Sequence, residues 1–129
     1  MSNLDKESVI GISALLVHAA NIDETYSNHE KELIKNFINS YLKDDNTSEI
    51  LKKAEVIEKS SNQLLNYTNI IKQKSMDIKK DIVEHLWKVI ISDNSVDQYE
   101  ANLMRRICGL IYFPDKESGE IKLRLLNSK

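Results

Sequence analysis

The chain is poor in the residues that interrupt or cross-link a backbone: one proline, three glycines and one cysteine in 129 positions. So few breakers exclude a loop-dominated or collagen-like chain and leave long stretches free to stay helical. A lone cysteine excludes an intrachain disulfide, and Cys108 falls on an apolar position, where a small buried hydrophobe is its expected role and a reducing compartment its expected setting. Charge of one sign is also lacking. Eighteen Lys and Arg oppose twenty Asp and Glu, a formal net charge of −2, so no global field draws the chain onto nucleic acid or an anionic bilayer. Finally, there is no long apolar run. Val9 to Ala20 is interrupted by Ser13 and His18, too short for a membrane span, and Asp5, Lys6 and Glu7 precede it in place of a basic leader with a small-residue cleavage signal. These features point to a cytoplasmic protein with no membrane insertion. With 41% apolar residues, the chain can fill one core, and residues 1–129 read as a single domain.

What is present is helical periodicity, without a segment of convincing strand alternation. The expected fold class is all-α, a compact helical domain of about six or seven helices. Residues 5–21 are apolar nearly all round and small at Gly11, Ala14, Ala19 and Ala20, the pattern of a central helix enclosed by others. Residues 28–42 carry Leu33, Ile34, Phe37, Ile38 and Tyr41 on one side. Between Thr47 and Gln73 the apolar pairs Ile50/Leu51, Val56/Ile57, Leu64/Leu65 and Ile70/Ile71 recur at roughly helical spacing, with a break at Ser60-Ser61-Asn62. Residues 76–91 set Ile78, Ile82, His85 and Val89 on a stripe, and residues 97–112 do the same with Leu103, Ile107 and Leu110. Pro114, with its fixed φ and missing N–H, suits the opening of a short last helix ending near Leu126.

Two stretches repeat at a constant offset: Asp23-Glu24-Thr25-Tyr26-Ser27-Asn28-His29-Glu30 and Asp93-Asn94-Ser95-Val96-Asp97-Gln98-Tyr99-Glu100. Each follows an apolar run and leads into a helix, so the chain reads as a pseudo-twofold repeat of a helix–acidic loop–helix unit, with halves at about 5–42 and 76–112. Ser27-x-x-Glu30 and Asp97-x-x-Glu100 both match a capping box, which accounts for half of the acidic positions without a ligand. Two features exceed capping. Asp23 and Asp93 repeat outside the box, and Glu30 and Glu100 precede the apolar stripes by three residues, so they face the interior of the helix pair. Carboxylates converging on such a loop suit a hard divalent cation such as calcium or magnesium. The candidate ligands are Asp23, Glu30, Asp93, Asp97 and Glu100. The loop is not an EF-hand, since it lacks the glycine at position six and the glutamate at position twelve.

Other constellations carry less. His18 and His85 sit on apolar faces, where a hydrogen-bonded core role is the commoner one, and His29 sits exposed at a helix start. There is no Glu-x-x-His pair of the kind that aims di-iron ligands into a helical bundle. Phosphate loops and nucleophile elbows are missing, and Arg105-Arg106 reads as a solvated or ion-paired face. No catalytic residue is assigned.

The run Leu86-Trp87-Lys88-Val89-Ile90-Ile91-Ser92-Asp93, with Val96-Asp97-Gln98-Tyr99-Glu100 and Leu103-Met104-Arg105-Arg106-Ile107, resembles the second half of bacterial tellurite-resistance TerB-like proteins. Ala14 to Ala20, continued through Asp23 to Glu30, resembles the first half, and the likeness covers nearly the whole chain. It implies an all-helical, pseudo-duplicated fold with an Asp-Gly-x-x-Asp/Ser-x-x-Glu loop in each half and a divalent-metal role for the clustered acids. By position, Asp23 and Glu30 match the family acids of the first loop, and Asp93, Asp97 and Glu100 those of the second. The usual glycine is replaced by Glu24 in one loop and by Asn94 in the other; Asn accommodates a left-handed backbone more readily than Glu. The functional expectation is a non-enzymatic module that binds protein partners or responds to a divalent metal, within families linked to tellurite and other stresses. The alternative is a metal-dependent enzyme using the same carboxylates.

Overall fold

Asp5 starts the first helix by accepting the Ser8 backbone N–H on its carboxylate at 2.7 Å, and this bond holds its pKa below the usual carboxylate value. The computed structural model describes residues 4–21, 26–43, 46–60, 64–92 and 98–127. Within them lie seven helices: α1 Lys6–Ala20, α2 Asn28–Tyr41, α3 Thr47–Ser60, α4 Leu64–Lys72, α5 Met76–Ile91, α6 Gln98–Ile111 and α7 Asp115–Asn127. The described residues contain no strand. Side-chain caps recur where the chain enters a helix: Ser27 on Glu30 N–H, Asn46 on Glu49 N–H and Ser75 on Ile78 N–H. Each supplies a partner to an amide that the first turn leaves unbonded.

α1 is buried on almost every side, from Ser8 and Val9 through Ala20, because α2, α3, α4 and α5 all pack on it. Its small residues permit close approach. A Cβ added at Gly11 would stand 2.5 Å from Ile70 Cδ1, so glycine lets α4 lie against α1 at this point. Enclosure also has a cost: the Ser13 hydroxyl is fully buried without a hydrogen-bond partner among the described residues.

The second half follows a matching plan. α6 begins and ends 70 positions beyond α2, and α5 begins 70 positions beyond α1. As α1 holds α2 and α3, so α5 holds α6 and α7, while α1 and α5 pack on each other and α4 joins α1 to α6. The two inner helices thereby form one continuous core with Ile34, Phe37, Ile38, Met104, Ile107, Cys108 and Ile111 of the flanking helices. Burying each such large apolar side chain stabilises by about 1.5–3 kcal/mol. On α6 the buried stripe is Leu103, Met104, Ile107, Cys108 and Ile111, with Leu110 only half-buried. The stripe is therefore turned by one residue from the Leu103/Ile107/Leu110 line that spacing alone suggests. Cys108 is buried and unpaired, and burial pushes its thiol pKa up.

α7 is fastened to α5 by two side-chain bonds: the Trp87 indole N–H donates to Ser118 Oγ at 2.9 Å, and Arg124 donates to Glu84. Burial alone would raise the Glu84 carboxyl, but the hydrogen bond and charge of Arg124, with the charge of Lys88, bring it below the ordinary value. Between α6 and α7, Tyr112 adopts a left-handed backbone (φ 61°), and Phe113 N–H bonds back to Cys108 C=O at 2.9 Å. This is the six-to-one bond of a Schellman ending, with buried Phe113 and Cys108 as its apolar pair and tyrosine where glycine is usual. Pro114 then precedes α7, and its carbonyl accepts the Ser118 N–H, the first intrahelical bond. No helix among the described residues is long and apolar enough to cross a membrane.

Candidate functional site

The two glutamates singled out by the repeat occupy the same place in their helices. Glu30 is the third residue of α2 and Glu100 the third of α6, and they are only 7% and 4% exposed. A carboxylate is rarely buried to this degree unless it is paired or hydrogen-bonded. For Glu30 one partner is clear: Oε1 accepts the Ser27 backbone N–H at 2.7 Å, while Ser27 Oγ accepts the Glu30 N–H at 3.2 Å, a complete capping box. The first loop thus realises the structural role that its sequence encodes. Asp23, Asp93 and Asp97 lie outside the described residues, as do Glu24 and Asn94. Among the described residues, no group of three or more His, Cys, Asp or Glu side chains is arranged to hold a metal ion.

Around the first loop the structure assembles a polar cluster that the repeat does not announce. Tyr26 donates from its hydroxyl to Glu55 Oε2 of α3 at 2.6 Å, and the Lys31 ammonium lies over the same ring at 5.1 Å. One turn further along α3, Glu58 meets His18 Nδ1 at 3.4 Å through one oxygen and accepts from Asn21 Nδ2 at 3.4 Å through the other. A cleft of about 200 Å³ opens among Val17, Asn21, Tyr26, Lys31, Glu55 and Glu58. Burial, then the hydrogen bond to Glu55 and the charges of Glu55, Glu30 and Glu58, drive the Tyr26 pKa far above its ordinary value. Tyr26 therefore stays a protonated donor and clamps the loop exit to α3. His18, expected in the core, sits at the rim of this cluster, with its side chain 36% exposed.

A second Tyr–carboxylate–His arrangement joins α2 to α5. The Tyr41 hydroxyl donates to Asp81 Oδ2 at 2.6 Å, His85 Nε2 stands 3.6 Å from Asp81 Oδ1, and the His85 ring meets Phe37 edge-on. Burial lowers the His85 pKa, with the Asp81 charge opposing it in part, so the ring is neutral at neutral pH. His85 is thus a partly buried histidine packed on Phe37 with the Asp81 carboxylate beside it. His29, Arg105 and Arg106 are exposed.

Glu55 and Glu58 went unnoticed in the sequence because they pair with groups about 30 to 40 positions away. The signal available was their i, i+3 spacing on the flank of the Ile50/Leu51/Ala54 stripe, which aims both toward the end of α1.

Seven helices among the described residues, of which α1–α3 and α5–α7 pack in matching order with Glu30 and Glu100 buried at equivalent positions, define an all-α, internally repeated module. The family model for tellurite resistance protein TerB matches residues 10–123, and the chain belongs to the TerB family. Comparisons with curated proteins and with solved structures give no match.

Proposed function

We propose that this TerB-family chain is a cytoplasmic helical module whose paired acidic loops take a divalent cation, calcium or magnesium, and that ion occupancy sets how the loops face a protein partner. Residues 1–129 are read as one domain, with repeat halves at about 5–42 and 76–112. The ligands proposed are Asp23 and Glu30 in the first loop and Asp93, Asp97 and Glu100 in the second.

The observation that carries the reading is the burial of Glu30 and Glu100 at one register, each preceded in the sequence by an aspartate seven positions upstream. Capping employs Glu30, and its counterpart in the second box is Glu100, but capping gives Asp23 and Asp93 no task. Oxygen-rich loops of this kind suit hard cations, which tolerate varied coordination by carboxylates and carbonyls. The buried single cysteine supports a reducing compartment.

The test is a titration of metal-free protein with calcium, magnesium, manganese and zinc, read by melting temperature and by backbone amide shifts. A bound ion raises the melting temperature by mass action and shifts amides 93–100. Asp93→Asn is expected to leave metal-free stability unchanged and to weaken that rise. No change in melting temperature or shifts with any of the four ions would sink the metal reading and leave the acidic loops as caps or a partner-facing surface.

A further inference from the structure

The core-facing stripe of α3 is Ile50, Leu51 and Ala54. Val56 comes two residues after Ala54, about 200° around the axis, so it should carry a polar side chain; instead it is an apolar residue 65% exposed. Ile57 beside it is also exposed, and both border an open groove of about 450 Å³ that Ile10 of α1 closes on one side. The remaining walls are the side chains of Glu49, Lys52 and Lys53. Lysine stems are apolar for most of their length, so they extend the greasy strip and leave their ammonium groups at its edge.

We propose that this groove docks an amphipathic helix of another protein, one that carries acidic residues beside its apolar stripe. Charge complementarity selects the occupant. Lys52 and Lys53 form no ion pair among the described residues, and Glu49 is the one acid in the lining, although acids outnumber bases in the whole chain. The groove follows α3 from Glu49 to Ile57, about 12 Å at the helical rise and thus two turns of a partner helix. Lys52 and Lys53 stand one turn before Val56 and Ile57 on α3, so their ammonium groups border the apolar pair and suit acidic side chains of a helix laid along it, a standard mode of peptide recognition. None of the lining residues belongs to the acidic loops or to the ion ligands proposed above, so the proposal does not rest on ion binding there.

The full chain should be titrated with a synthetic helical peptide bearing leucines at i, i+3, i+4 and i+7 flanked by glutamates, and with a twin in which lysines replace the glutamates. Fluorescence anisotropy should show saturable binding of the first peptide and binding about tenfold weaker of the second, with the largest amide shifts at Ile10 and residues 49–57. Lys52→Glu combined with Lys53→Glu should reverse that preference. Val56→Glu should weaken binding about tenfold without lowering the melting temperature, because the side chain is solvent-facing. The proposal is overturned if the peptides bind equally or not at all, or if the shifts fall elsewhere. It is overturned equally if Val56→Glu abolishes only concentration-dependent self-association, or only binding to phosphatidylserine vesicles.

Discussion

The inner helices of the two halves, α1 and α5, hold equivalent places and are built differently. α1 is buried on nearly every side, whereas α5 buries a wide stripe and keeps Lys80, Asp81, Glu84 and Lys88 on its flank. Their outer helices are fastened by different chemistry as well. In the first half, phenol, imidazole and amide groups reach the α3 carboxylates Glu55 and Glu58; in the second, an indole and a guanidinium tie α5 to α7. The repeat therefore keeps the order of packing and the buried glutamate in the first turn of α2 and α6, and lets the pairwise bonds diverge. An enclosed helix needs apolar residues all round, while a flanking tie needs only one donor and one acceptor in reach.

The sharpest way to break this contrast is to place a charge on each inner helix. Ala14→Asp, at a fully buried site on α1, leaves a carboxylate unpaired and is expected to cost on the order of 3–5 kcal/mol or to unfold the protein. Lys80→Asp, on the exposed side of α5, should stay within about 0.5 kcal/mol. Urea unfolding of the two variants reads the difference; equal losses would show that α5 is as enclosed as α1.

Next in size are the ties. Ser118→Ala strands the Trp87 indole N–H, which is buried, and should cost about 1–3 kcal/mol. Tyr26→Phe removes a half-buried bond to Glu55 and should cost about 0.5–1.5 kcal/mol, since the freed carboxylate can be reached by water. A larger loss at Tyr26 would make the first loop the more strongly held of the two.

The caps test whether the halves agree where their sequences agree. Ser27→Ala should cost about 1 kcal/mol, and Asp97→Ala the same if the second loop repeats the box. Thermal melts with no loss in the Asp97 variant would confine the capping box to the first half.

The smallest effect belongs to pH. Burial holds the folded-state pKa of His85 below its ordinary value near 6.5. Unfolding therefore takes up a proton as pH falls from about 6.5 toward the lowered value, and stability present above that window is lost on descending through it. Tyr41, Asp81, Glu84 and Lys88 face or flank the ring and remain in place in His85→Gln, so the acid-side fall in melting temperature should shrink in that variant. An unchanged pH profile would assign the fall to other groups.

Much of the architecture was legible in the sequence because it is local. The start of α5 at Met76, the break after Ser60 and the end of α1 follow from periodicity, caps and small residues, and the seven helices match the all-α expectation. Glu30 and Glu100 were legible as inward-facing acids from their position before the stripes. The His18–Glu58, Tyr26–Glu55 and Tyr41–Asp81 contacts were not, since each joins helices whose relative placement only the packed core decides. The turn of the α6 stripe toward Met104 and Cys108 has the same origin: helical spacing allows two neighbouring stripes, and the contacts with α4, α5 and α7 choose between them.

The enclosure of α1 also has a consequence in time. Its last packing neighbour, α5, ends about seventy residues further along the chain. At synthesis rates of roughly 5–20 residues per second, several seconds separate the emergence of this greasy segment from the arrival of its final cover. During that interval Val9, Ile12, Leu15 and Leu16 have only α2, α3 and α4 for shelter. The ribosome-bound chain should therefore be most prone to aggregation, and most dependent on a chaperone, before α5 is made.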